Sequence, residues 1–252
     1  MADTCGLVDW LDRLLRISEI EDYPGALNGL QVEARGAVHR IGAATDACQL
    51  TIDRAITAGC ELLLVHHGLF WGGVSPLVGP AYRRIAALVR SGTGLYSAHL
   101  PLDLHEEVGN NVQLAAALGV APEGRFGEHR GVEGLGVLAT LDEHRDDLAT
   151  RIGAVLGARV HLIPGGVERI RRLAIVTGGA GSMLGQAVRA GADAFLTGEG
   201  SHHTHHEALE AGINVFYAGH YATETLGVKA LAERAAAEFG LEWEFFDVPT
   251  GL

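Results

Sequence analysis

The sequence holds a single lysine, Lys229, among 252 residues, only three cysteines, and no apolar run near the roughly 20 residues a membrane span requires. Each scarcity excludes something. One lysine and a formal net charge of −12 leave little from which to build the clustered basic surface that nucleic-acid phosphates demand, so nucleic acid is not an expected partner. Cys5, Cys48 and Cys60 are odd in number and lack CxxC spacing, which argues against a disulfide framework or a structural zinc site. Cys48 and Cys60 lie in apolar surroundings and read as small core residues. The amino terminus carries acids early and lacks the basic-then-apolar order of a signal peptide, so a cytoplasmic protein with no membrane association is expected. No GxSxG is present and no Ser or Cys sits beside an evident base, so covalent catalysis has no support. The GGAGSMLG stretch (178–185) has neither GxGxxG nor Walker spacing, and by itself it does not make a nucleotide site.

What is present is an α/β pattern. Hydrophobic residues make up 48% and charged residues 20%, in the range of a globular chain. Leu7, Trp10, Leu11, Leu14 and Leu15 share one face of an amphipathic amino-terminal helix. Short apolar runs then alternate with Ala-rich helical stretches. Strands are expected at 39–45, 61–65, 94–98, 134–140, 172–177, 192–197, 213–218 and 243–247. Helices are expected at 49–58, 81–91, 111–118, 145–156, 182–190, 203–211 and 223–239. Pro, Gly and charge cluster at 122–131, which suggests a junction between a first α/β lobe (1–125) and a second (126–252).

An internal repeat supports two similar lobes. At an offset of 132, residues 41–68 lie over 173–200 without a gap: Thr45 meets Thr177, Leu64 meets Leu196 and Gly68 meets Gly200. At an offset of 121, YSAHLPLD (96–103) lies over YAGHYATE (217–224), so that Tyr96 meets Tyr217, His99 meets His220 and Asp103 meets Glu224. Chance likeness between two βαβ units is the competing explanation.

Several of the 13 histidines fall in a few short clusters, and His66-His67, His99 and His220 each close a strand. His66 and His67 follow the continuous run Leu62–Val65, the mark of a strand covered on both faces, and Gly68 then lets the chain turn. In open α/β sheets this carboxyl edge is where ligands bind. His99 closes the next strand, with Asp103 four residues on, beyond Pro101. His220 closes a later one, with Glu224 in the first turn of the final helix. Each piece has a bland alternative: imidazoles bonded to loop carbonyls, an Asp capping a helix near 106–110, a Glu complementing a helix dipole. Together, His66, His67, Asp103, His220 and Glu224 form a mixed nitrogen and oxygen set suited to a pair of divalent ions sharing a water. Ser201 reads as the N-cap of a helix whose first turns carry His202, His203, His205 and His206; these suit a rim, simple exposure or a second metal site. Glu199 matches His67 in the repeat and sits at the equivalent strand tip.

The segments NGLQVE (28–33), VHHGLFWGG (65–73), SAHLPLD (97–103), TGEGSHH (197–203), AGHYATETLGVKAL (218–231) and FFDVP (245–249) resemble the Nif-three-like dinuclear metal-centre family, also named GTP cyclohydrolase I type 2 homologues. The resemblance implies two similar interlocked α/β lobes with the metal site between them, assembled as a toroidal homohexamer. It places the metal ligands on His66, His67, Asp103, His220 and Glu224, with His99 lining the site. The chain resembles the compact members, which lack an inserted domain, and departs from the family in the histidine-rich HHTHH run.

The resulting expectation is a metal-dependent hydrolase. It would bind two divalent ions per chain (Zn, Fe, Mn or Ni) and direct a metal-activated water at a phosphoester or nucleotide-type small molecule, with His99 or Glu199 moving the proton. The alternative is a non-enzymatic ring that stores or delivers metal, or regulates. An open coordination position separates a catalytic centre from a closed structural one.

Overall fold

The computed structural model describes residues 1–73 and 75–252. In chain order its elements are α1 (Thr4–Leu15), β1 (Gly29–Val32), β2 (Arg40–Asp46), α2 (Gln49–Thr57), β3 (Leu62–His67), α3 (Gly79–Ser91), β4 (Gly94–Ser97) and α4 (Leu100–Leu104). There follow α5 (Asn110–Ala117), β5 (Pro122–His129), β6 (Val132–His144), α6 (Arg145–Leu156), β7 (His161–Pro164), β8 (Arg169–Ile175) and a 3-10 turn at Gly181–Met183. The chain ends with α7 (Leu184–Arg189), β9 (Ala194–Thr197), α8 (Thr204–Ala211), β10 (Asn214–Tyr217), α9 (His220–Thr223), α10 (Thr225–Phe239) and β11 (Glu242–Phe245). None of the described helices is long and apolar enough to cross a membrane.

Two compact units result. The first comprises Met1–Val108 and Gly227–Val248, the second Gly109–Leu226 and Pro249–Leu252. The first holds a sheet of order β1-β4-β3-β2-β11, parallel except for β1. Its alternating side chains fill two cores. Ile41, Ala43, Leu62, Leu64 and Tyr96 pack on Leu7, Leu11 and Leu15 of α1 and on Val228, Leu231 and Ala235 of α10. Ala44, Leu63, Val65 and Leu95 pack on Ile52 and Ala55 of α2 and on Leu88 of α3. Burial on both faces is why the run at 62–65 is unbroken, and it confirms the amphipathic face read in α1.

The second unit holds a sheet of order β5-β6-β8-β9-β10-β7, parallel only through β8, β9 and β10. Val137, Leu173, Ile175, Leu196 and Phe216 pack there against Leu114 of α5 and Leu148 and Ile152 of α6. The repeat is visible in the ladder. Ile41 pairs with Leu62 and Leu64 with Ala43 in one unit; Leu173 pairs with Ala194 and Leu196 with Ile175 in the other, which is the 132-residue offset without slippage.

The second offset is corrected by one. Tyr96 faces Leu64 while Phe216 faces Leu196, so β4 and β10 correspond at 120 residues and not 121. Backbone bonds agree: Ala98 N donates to Val65 O at 3.0 Å, and Ala218 N to Thr197 O at 3.0 Å. His99 and His220 are alike in chemistry and not in ladder position. His99 is the residue before α4, and its counterpart before α9 is Gly219.

Every strand and helix expected from the sequence is present. The strands it left out, β1, β5 and β7, are all sheet edges. β5 opens on Pro122 and holds Gly124 and Gly127, and β7 ends on Pro164; an edge strand tolerates such residues because one side of its ladder needs no partner. Among the cysteines, Cys60 is buried as expected, but Cys48 is only half-buried, because it precedes α2 at the rim of the sheet.

Candidate metal centre

In the first unit the site is built at the carboxyl edge of β3 and β4. His66 and His67 are the last residues of β3, and their rings lie 4.7 Å apart, centroid to centroid. The His99 ring is 4.9 Å from His66 and 5.7 Å from His67. One ligand-capable nitrogen from each of these three histidines lies within 4.8 Å of the others, a group able to hold a metal ion.

The orientation of these rings is set by what holds the opposite nitrogen. His66 Nδ1 donates to Ala98 O at 2.9 Å. His67 Nδ1 lies 2.8 Å from Asp46 Oδ1, its partner across the β2–β3 ladder, and His99 Nδ1 lies 2.9 Å from Asp22 Oδ1. A carbonyl or carboxylate oxygen only accepts, so Nδ1 carries the proton in each ring and the neutral ring presents its lone pair on Nε2. This is the arrangement by which proteins orient metal-binding imidazoles.

Asp103 lies in a helix: Leu100 and Pro101 open the short helix α4, and Asp103 is buried within it. Its Oδ2 lies 3.6 Å from His66 Nε2. Two donors about 2.1 Å from one tetrahedral ion stand roughly 3.4 Å apart, so this spacing fits joint ligation of a single ion.

In the second unit, His220 and Glu224 lie just beyond β10. Glu224 is not in the first turn of the long helix. It follows α9 and precedes α10, and it is buried. His220 Nε2 lies 3.1 Å from Glu224 Oε2, and His220 Nδ1 lies 2.8 Å from Glu199 Oε1. Glu224 does most to raise the pKa of His220, burial opposes it and Glu199 adds to it, bringing the value to about 9. Glycines make this geometry possible. A Cβ on Gly178 (φ +70°) would overlap the Glu224 carboxylate, and one on Gly198 would meet Gly178 O at 2.7 Å and His220 Cα at 2.7 Å. Gly178 N also donates to Thr223 Oγ1 at 3.0 Å, fixing α9 from below. Gly178 therefore makes room for a carboxylate.

Sequence reasoning named His66, His67, His99, Asp103, Glu199, His220 and Glu224, and missed the carboxylates of Asp46 and Asp22. Asp46 was legible in principle, since it ends the strand beside β3. Asp22 was not, because it lies in an irregular segment. It is a well-held carboxylate: burial alone would raise its pKa, but bonds from His99, Asn28 and Leu100 N hold it below the usual carboxylate value. Also missed was an aromatic flank, in which the Trp71 ring lies 4.8 Å from His99 and Tyr23 lies 5.8 Å from His99. The four histidines of the HHTHH run are exposed, and Thr204 between them is buried. Ser201 does not cap α8 with its side chain; the residue before that helix is His203, and Thr204 Oγ1 donates back to Ser201 O at 2.6 Å.

Residues 4–250 match the family model Duf34/NIF3 (NGG1p interacting factor 3). A Deinococcus radiodurans protein named GTP cyclohydrolase 1 type 2 homolog is 41% identical over 248 residues, covering 98% of this chain and 93% of its own length. Among solved structures, protein ybgI, described as of unknown function, superposes with a TM-score of 0.93 at 37% identity, covering 100% of both chains. The Thermus thermophilus protein TTHA1606 superposes with a TM-score of 0.89 at 43% identity, again over 100% of both.

Proposed function

The chain belongs to the Duf34/NIF3 family, and from that premise we propose that it binds two divalent ions per chain and hydrolyses a phosphoester or nucleotide-type small molecule. The observation that carries the metal reading is the common state of the histidines: His66, His67 and His220 each have Nδ1 held by an oxygen, which leaves Nε2 as the ligand atom, and the His99 ring beside them is held in the same way. The donor set fits borderline divalent ions, with imidazole nitrogens from His66, His67 and His220 and buried carboxylates from Asp103 and Glu224. Such ions supply a lowered pKa for a bound water and stabilise charge on the group under attack.

The remaining work falls to this chain's own side chains. His99, held by Asp22, presents Nε2 beside the His66 and His67 rings, where it can accept and pass on a proton. Glu199 keeps His220 oriented with one oxygen, and its side chain is 52% exposed, so the carboxylate can exchange a proton with solvent. Trp71, partly exposed beside His99, gives an apolar surface against which a planar ring can rest, which favours a nucleotide-type substrate over a simple phosphoester. The homohexamer implied by the family resemblance belongs to the same proposal and is checked by light scattering.

The test is metal content, by mass spectrometry on protein purified without an affinity tag, for the unaltered chain and Asp103→Ala, followed by hydrolysis assays with phosphoesters and nucleotides. About two ions per chain, lost in the variant, together with turnover support the whole reading. Metal without turnover supports a storage, delivery or regulatory ring instead. No stoichiometric metal after reconstitution refutes the centre.

A further inference from the structure

The HHTHH run is absorbed by none of the chemistry above, and its geometry is ordered. His202 lies in the turn before α8 and His206 in the first turn of the helix, four residues on. Their rings lie 5.9 Å apart, centroid to centroid, and nearly perpendicular. Histidines four apart on one helical face are a recurring chelate for zinc-like ions. An ion about 2.0 Å from one nitrogen of each ring sets the centroids roughly 5 Å apart, so these exposed side chains need to close by only about 1 Å.

The backbone carrying them is pinned. Thr204, between them, is buried; its hydroxyl bonds to Ser201 O at 2.6 Å and to the Tyr217 hydroxyl on β10. Gly200 lets this turn lie against the Tyr217 ring, where a Cβ would overlap it. A chelate built on a fixed turn loses little conformational entropy on binding. Charge also favours a cation: α8 carries Glu207 and Glu210 and no basic residue. His203 is turned elsewhere, with Nε2 4.0 Å from Glu207 Oε1.

We propose that His202 and His206 form a second, surface site for one borderline divalent ion (zinc, nickel or copper), separate from the ligands of the proposed dinuclear centre and completed by water. Imidazole ligands select these ions over magnesium and calcium, which prefer oxygen. Exposure and only two protein ligands make the site weaker and faster to exchange than one built from several buried donors.

The experiment is equilibrium dialysis of the full chain against zinc, with magnesium as a competitor, for the unaltered protein, His202→Asn, the pair His202→Asn with His206→Asn, His203→Asn, and Asp103→Ala. One weakly held zinc per chain is expected, insensitive to magnesium. Its affinity falls about tenfold or more in His202→Asn, and the ion is lost in the double variant. His203→Asn and Asp103→Ala retain it, so failure of the dinuclear centre and failure of this site are read separately. Full zinc binding in the double variant, or an equal loss in His203→Asn, overturns the proposal. Because all of these histidines are exposed, matching thermal melts check that folding is intact.

Discussion

Asp22 holds the imidazole of His99 from 77 positions earlier in the chain, with Oδ1 2.9 Å from Nδ1. Its other oxygen accepts from Leu100 N at 2.9 Å, the first amide of the helix that carries Asp103. One carboxylate thus orients a ring and caps a helix. Asn28 reinforces it, donating to Asp22 at 2.8 Å and accepting from His99 N at 2.8 Å. Replacing Asp22 with Ala leaves several buried donors without an acceptor. A loss of about 1–3 kcal/mol in stability is expected, read by urea denaturation. Asp22→Asn, which keeps one acceptor oxygen, is expected to lose less.

Asp46 is a different case, since its side chain is 37% exposed and its main partner is His67 Nδ1. Asp46→Ala is expected to leave stability nearly unchanged while weakening metal binding about 10- to 100-fold, read by competition with a chelating dye. An unchanged affinity would show that His67 is oriented without it or is not a ligand.

Gly178 sits at φ +70° with the Glu224 carboxylate where a side chain would begin. Gly178→Ala therefore combines a left-handed backbone cost of about 1–2 kcal/mol with displacement of Glu224. Both the denaturation midpoint and the metal content are expected to fall. Gly157→Ala, also at positive φ (+61°) but with nothing near a Cβ, is expected to show the backbone cost alone.

Burial pushes the Cys60 thiol up to about 11 from an ordinary 9.0. A raised folded-state pKa means that the thiol's contribution to stability is intact below pH 9 and is lost progressively as pH rises toward 11. Cys5 is exposed. With a disulfide reagent at pH 8, Cys5 is expected to react promptly and Cys60 only after denaturant is added, as mass spectrometry of labelled peptides would show.

Much of this protein is legible before any coordinates. The run Leu62–Val65, the Ala-rich helices and the strand-closing histidines follow from local periodicity, because a parallel strand buried on both faces must be apolar at every position. The 132-residue repeat holds in the ladder, where the pairings of Ile41 with Leu62 and Leu64 with Ala43 recur as Leu173 with Ala194 and Leu196 with Ile175. Three edge strands, β1, β5 and β7, escaped because exposure weakens the selection for apolar residues that makes a strand readable, whereas the edge strand β11 was legible.

Only the tertiary structure decided which oxygen holds each imidazole and how the chain is divided. Asp22 and Asn28 reach His99 from an irregular segment, Ala98 reaches His66 from the end of the neighbouring strand, and Asp46 reaches His67 through a ladder pairing 21 residues away. That α10 and β11 return to the first unit is likewise invisible locally, since an amphipathic helix announces that it has a buried face and not which sheet covers it. Residue types and spacing determined the chemistry available to this chain. Long-range hydrogen bonds determined the direction in which that chemistry points.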